Sequence, residues 1–242
     1  MNGADGESVG EVAEDSGTAA LKARTGRSLV AAVDRMRHPV DGKLMARIAE
    51  GIHLCGAANS REWIEEYWID VYPTTNRDYE RFTTATGHPA PSHWPEGRVP
   101  ASLADHPVVW VSWLDASAYA AWAGKVLPSS RQWEKAARGT TGERYPWGTS
   151  PTAAKCNVRE SGIAGTTAVS RYHSGVSPYG VYDLCGNTWE WLSTPGSASG
   201  RYQLKGSAFT SPFYRCEPTS VNDASMDMSD EDTGFRCATP LR

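Results

Sequence analysis

Residues 106–139 read HPVVWVSWLDASAYAAWAGKVLPSSRQWEKAARG, and two helices are punctuated inside that stretch. Ser112 stands three residues before Asp115, a pairing that resembles a capping box although Glu or Gln is the usual partner. The helix it opens, WLDASAYAAWA, ends at Gly124. Ser129 with Gln132 is a full capping box for RQWEKAAR, which Gly139 ends. The apolar face of the first helix (Trp113, Ala116, Ala120, Ala121) is small, so it must pack closely on something flat, a sheet.

Towards the N-terminus the same grammar gives a third helix over Arg77–Ala85, capped by Thr75 or Asn76 and ended by Gly87. EYWIDVYPTT (66–75) is an aromatic, β-branched strand closed by Pro73, and MARIAEGIHLCGA (45–57) alternates as a half-buried strand or hairpin does. Residues 20–37 place Leu21, Leu29, Val30, Val33 and Met36 at loose helical spacing, interrupted by Gly26 and stopped by Pro39. Residues 1–19 are acidic and small, without apolar periodicity, and are expected to be disordered. Beyond Gly139 the chain is mostly turns, broken by YPWG, SPYGVYDL, NTWEWL and TGFRCA. With 23 Gly, 15 Pro and 10 Trp in 242 residues, large flat side chains must pack between irregular loops, which points to bound cations as a further source of rigidity. Helices followed by a Gly-rich, Trp-rich meander give the α+β class.

The formal net charge of −4 supplies no basic stripe for nucleic acid, and no apolar run approaches the roughly 20 residues that span a bilayer. MNGADGESVGEVAEDSG lacks a basic n-region and an apolar h-region, so no secretory signal is expected and a cytoplasmic location is. Five scattered cysteines (55, 156, 185, 216, 237) without a Cys-x-x-Cys pair argue against a disulfide framework or structural zinc, and read as small buried hydrophobes. The six histidines are scattered too; His88 and His93, five apart in a Pro-rich loop, do not make the i, i+4 face of a zinc helix.

In order along the chain, YWIDVYPTTNRDYERF, residues 106–139, YPWG, SPYGVYDLCGNTWEW, KGSAFTS and TGFRC resemble the formylglycine-generating-enzyme, or sulfatase-modifying-factor, family. The resemblance covers 43–242, leaving a helical extension over 20–42 outside it. It implies a C-type-lectin-related fold with little regular secondary structure, two to three helices packed on small antiparallel sheets, and bound calcium.

Asp183 and Glu190 flank a Gly turn seven residues apart, a hard-oxygen arrangement suited to Ca²⁺. The resemblance implies side-chain ligands at Asp183 and Glu190 and backbone oxygens at Gly186 and Thr188. It implies a second calcium at Asn157, the Val158 carbonyl, Ser161 and the Ile163 carbonyl, where Ser161 replaces a carboxylate found in some members and Glu160 is a further candidate. Pocket positions match at Trp189 and Ser207, and Asp232 stands where an Asn is usual. The family's two copper-binding cysteines follow a Gly-Gly-Ser motif, but this chain has no cysteine between Gly206 and Arg215. A hydroxyl such as Thr210 does not replace a thiolate on Cu(I), so no copper site and no formylglycine generation are expected. Two readings follow: an oxidase- or oxygenase-like tailoring enzyme acting on an amino acid or peptide, or a non-catalytic, lectin-like module that binds a peptide, protein or small molecule. Formylglycine generation through another thiol, Cys216 or Cys185, is the remaining alternative.

Overall fold

The computed structural model describes residues 34–240. The acidic segment 1–19 and most of the helix read over 20–37 lie outside them. The final residues of that reading are corrected: Arg35–Arg37 is a strand, β1, paired antiparallel with β2 (Leu44–Ile48). The folded sheet therefore begins ahead of Lys43. Only three residues form β1, too few to show alternation in the sequence.

The three capped helices form as their boundary residues dictate. Thr75, Ser112 and Ser129 each accept the N–H three residues on, and Asp78, Asp115 and Gln132 each return a bond to the cap N–H. These are α1 (Asn76–Thr86), α2 (Trp113–Ala123) and α3 (Ser130–Arg138), ended by Gly87, Gly124 and Gly139. The buried face of α2 is Ala116, Tyr119, Ala120 and Ala123; Ala121 is exposed and Trp113 half-buried, a rotation from the expected face. The indole N–H of Trp113 donates to the Leu192 carbonyl at 2.9 Å, and its ring stacks on Tyr202 at 3.7 Å, so it clamps the helix flank to a sheet.

β1 and β2 continue into β5 (Tyr67–Asp70) and the C-terminal β10 (Ala238–Pro240), in the order β1-β2-β5-β10. The segment 45–57 splits between sheets: β3 (Gly51–Cys55) leaves β2 and pairs with β4 (Ser60–Ile64) in a separate hairpin. A third sheet, β8-β7-β6-β9, joins β6 (Trp189–Pro195), β7 (Arg201–Lys205), β8 (Asn222–Ser225) and β9 (Thr233–Gly234). Its β6–β9 pair is parallel, matching Trp189 with Thr233, so the sheets are not all antiparallel as expected.

One core packs α1 and α2 through Tyr79, Phe82 and Tyr119 against Trp191 and Phe235. Another packs Trp133, Ala136 and Ala137 of α3 on Ile48, Tyr67, Ile69 and Leu192. A buried cation ties the parts together: Lys125 Nζ lies 2.7 Å from both Asp41 and Asp70, all three side chains fully buried. Among the described residues no helix is long and apolar enough to cross a membrane.

Candidate functional site

The turn from Asp183 to Glu190 is set by Gly186. Its φ is +78°, and a Cβ there would sit 2.4 Å from the Asn157 carbonyl oxygen, so only glycine lets the two loops touch. Contact is direct: the Asn187 N–H donates to the Asn157 carbonyl at 2.7 Å, and the Gly186 N–H to the Gly206 carbonyl at 2.7 Å. Three loops, 157–163, 183–190 and 205–211, thus meet at one point. Their buried amides are chained, with Asn157 Nδ2 donating to Asn187 Oδ1 at 3.1 Å and Asn187 Nδ2 to Asp183 Oδ2 at 2.8 Å.

Asp183 and Glu190 are close enough to repel, but their surroundings differ. Arg236 grips Glu190 with two N–H groups, at 2.7 and 2.6 Å, and the Trp133 indole adds a third at 2.6 Å. A carboxylate has about four lone-pair sites, so Glu190 keeps one free. Asp183 is also buried, takes a positive φ of 53°, and receives only the Asn187 amide. Burial pushes its pKa up to about 7, against the pull of Asn187 and Arg236. The Thr188 hydroxyl is buried without a partner beside it in the chain. A buried carboxylate this short of donors has the chemistry that would suit a hard divalent cation; of the other expected ligands Glu190 keeps one lone pair, and the Gly186 carbonyl accepts the Thr188 N–H at 3.1 Å. Arg236 lies in the quoted TGFRC block, but 46 residues separate it from Glu190, which hides the pairing from a linear reading.

The second expected set is brought together in part. Ser161 Oγ donates to Asn157 Oδ1 at 2.9 Å, and the Val158 carbonyl accepts the Ser161 N–H at 2.8 Å. Ile163 is next to them, its N–H 3.4 Å from Ser161 Oγ. Glu160 turns away: both of its oxygens accept the Phe213 N–H, at 3.0 and 2.9 Å. The ligand set is therefore neutral, and a weaker fit to a divalent cation than the Asp183 set.

Trp189 opens β6, Ser207 follows β7, and Asp232 precedes β9, so the sheet order makes them neighbours. The Trp189 N–H donates to the Asp232 carbonyl at 2.9 Å. Ser207 is fully buried with φ +65°, and its hydroxyl has no partner. The Thr210 hydroxyl donates a hydrogen bond to the Asp232 carboxylate. Burial pushes the Asp232 carboxyl up, and the Asp230 charge adds to this while Thr210 opposes it. The Arg215 guanidinium lies 5.6 Å from the Trp189 ring centroid, a cation–π contact that covers the indole. Sequence reading gave Arg215 no part; the signal available was its place in the Arg-Cys pair closing this loop. A cavity of about 540 Å³ opens elsewhere, between α3 and β7, lined by Cys55, Ser129, Glu134, Thr194, Gln203 and Lys205.

Cys156, Cys185, Cys216 and Cys237 are buried free thiols, and Cys55 is half-buried. Among the described residues no group of three or more His, Cys, Asp and Glu side chains is arranged to hold a metal. His88 instead pairs with Asp115 at 2.7 Å.

Residues 27–241 match the model of the sulfatase-modifying factor enzyme 1-like domain. A formylglycine-generating enzyme of Thermomonospora curvata is 31% identical, over 72% of this chain and 82% of that protein. The inactive C-alpha-formylglycine-generating enzyme 2 of Bos taurus is 37% identical over 56% of this chain, and the match spans half of its own length. The structure of PvdO from Pseudomonas aeruginosa superposes with a TM-score of 0.71 at 19% identity, over 86% of this chain and 98% of that one, a likeness of fold. With a family match across most of its length and the α+β architecture of its structural neighbour, the chain belongs to the sulfatase-modifying-factor, or formylglycine-generating-enzyme-like, family.

Proposed function

We propose that this chain is a family member without the copper-binding thiolates, and that it holds an amino-acid or peptide ligand at the site formed by Trp189, Ser207 and Asp232. The observation that carries the reading is the Thr210–Asp232 hydrogen bond. It lies in the loop after Gly206-Ser207, where the family resemblance implies a pair of thiols. A threonine hydroxyl tied to a carboxylate is a hard donor and does not stand in for soft sulfur on Cu(I). The chain's own thiols lie elsewhere, four of them buried. The 37% identity to a relative named as inactive agrees with this reading.

Ligand recognition rests on three groups. The Trp189 face, now under Arg215, would accept a cation; Asp232 would supply a carboxylate; and the Ser207 hydroxyl, buried without a partner, would offer a hydrogen bond. An incoming amino-acid side chain would displace Arg215 from the indole. A second reading, an oxidoreductase-like tailoring enzyme, is favoured by Asp232 itself. A half-buried carboxylate with an elevated pKa is suited to taking a proton from a bound substrate.

We also propose that calcium is a resident structural ion, held first by Asp183, Gly186, Thr188 and Glu190, and second by Asn157, Val158, Ser161 and Ile163. The ion would supply the positive charge that Asp183 lacks.

The test of function is oxygen uptake by copper-supplied protein given a cysteine-containing sulfatase-motif peptide, beside calorimetric titration with free amino acids and short peptides. The expected result is no uptake, with binding weakened by Asp232→Asn and strengthened by Arg215→Ala. Oxygen uptake coupled to cysteine oxidation, or binding indifferent to both substitutions, would overturn the reading.

A further inference from the structure

Cys156 and Cys216 are 60 positions apart in sequence, and their sulfurs touch at 3.9 Å. Cys156 follows a single helical turn, Ala153–Lys155, in extended conformation; Cys216 ends another, Phe213–Arg215. Both are buried, with Tyr145 and Val158 in the same cluster and Phe213 packed against it. Besides Cys216, the Cys156 thiol makes a weak contact to the Ala153 carbonyl at 3.8 Å. Cys185 is nearby, its sulfur against the Cys216 carbonyl. Cys156 and Cys216 are the pair whose sulfurs lie in direct contact.

We infer that Cys156 and Cys216 form a disulfide when the chain folds in the presence of a low-molecular-weight disulfide. A sulfur–sulfur bond needs about 2.05 Å, so the two sulfurs must close by roughly 1.9 Å, within reach of χ1 rotation and a small loop shift. The chemistry is two exchanges. One thiolate attacks the small disulfide, forms a mixed disulfide and releases one small thiol. The second cysteine then attacks the protein sulfur of that mixed disulfide and releases the other. Two cysteine protons leave with the two released thiols, the cysteines are oxidised, and one small disulfide is reduced. Burial confines the reaction to the unfolded or opened chain, and afterwards shields the bond from reductant.

The staple joins the two loops that carry the candidate site. One holds Asn157 and Ser161; the other holds Thr210 and Arg215. The Arg159 guanidinium already reaches across to the Thr210 carbonyl at 2.9 Å, so the bond reinforces an existing seam rather than creating one. The dithiol and disulfide forms would share one fold and differ in how firmly that seam is closed.

The experiment refolds the full chain with oxidised or reduced glutathione, then denatures it, alkylates free thiols and maps the peptides by mass spectrometry. The expected result is loss of two alkylation sites, a Cys156–Cys216 cross-link, and a melting temperature roughly 5–10 °C above that of the dithiol form. Cys156→Ala and Cys216→Ala should each abolish that difference, and Cys185→Ala should keep it. Five alkylated thiols after oxidative refolding, or a cross-link through Cys185, would overturn the inference. If a variant does not fold, the wild-type cross-link map decides alone.

Discussion

Two buried clusters each set one lysine or arginine against two carboxylates, and they resolve the shortage differently. At the junction of β5 and the segment after α2, Asp41 receives the Lys43 N–H, the Tyr119 hydroxyl and Lys125 Nζ, and Asp70 receives Lys125 Nζ and the Cys237 N–H. Where the three loops meet, Arg236 and Trp133 give Glu190 three donors, and Asp183 is left with one amide. The first cluster is complete within the chain. The second leaves a buried carboxylate with one neutral donor, which is costly unless the proposed cation is bound.

The largest effect that separates them is expected from Lys125→Met, which strands two buried carboxylates. Denaturant unfolding should show a loss of about 3–5 kcal/mol, and added calcium should not restore it. Asp183→Asn should behave in the opposite sense. In chelator the variant should be as stable as the wild type or more so, since it removes an uncompensated charge; in calcium it should be the less stable of the two. Equal response of both proteins to calcium would erase the distinction drawn here.

A smaller effect concerns acid. Asp78 is largely buried, and burial alone would raise its carboxyl. Lys43 at 3.1 Å and the two bonds with Thr75 outweigh that and hold it at about 2. Its folded pKa lies below the unfolded value, so its contribution is full above roughly pH 4 and is lost as pH falls towards 2. That amounts to about 2 kcal/mol, measurable as a shallower acid-unfolding curve in Asp78→Asn. The smallest effect is at a cap. Ser129→Ala removes one bond from the α3 capping box and should cost about 1 kcal/mol, with the calcium response unchanged.

The helices were legible because their information is local. Thr75, Ser112 and Ser129, with the residues three further on and a closing glycine, state each helix within a dozen positions. β1 was not legible, because Arg35–Arg37 is recognised only by the partner strand it pairs with. The same holds for the parallel match of Trp189 with Thr233, and for the departure of β3 from β2 into its own hairpin. In the site, the Gly186 turn and its two flanking carboxylates could be read directly. Arg236 on Glu190, Glu160 on Phe213 and Cys156 against Cys216 could not, since each pair is assembled by folding from segments 46 to 60 residues apart.

Melting the dialysed chain in chelator, then in added calcium, addresses the unbalanced carboxylate most directly. The melting temperature should be lower in chelator and restored by calcium, with no such response in Asp183→Asn. Identical melting curves for the unsubstituted protein in both solutions would contradict it.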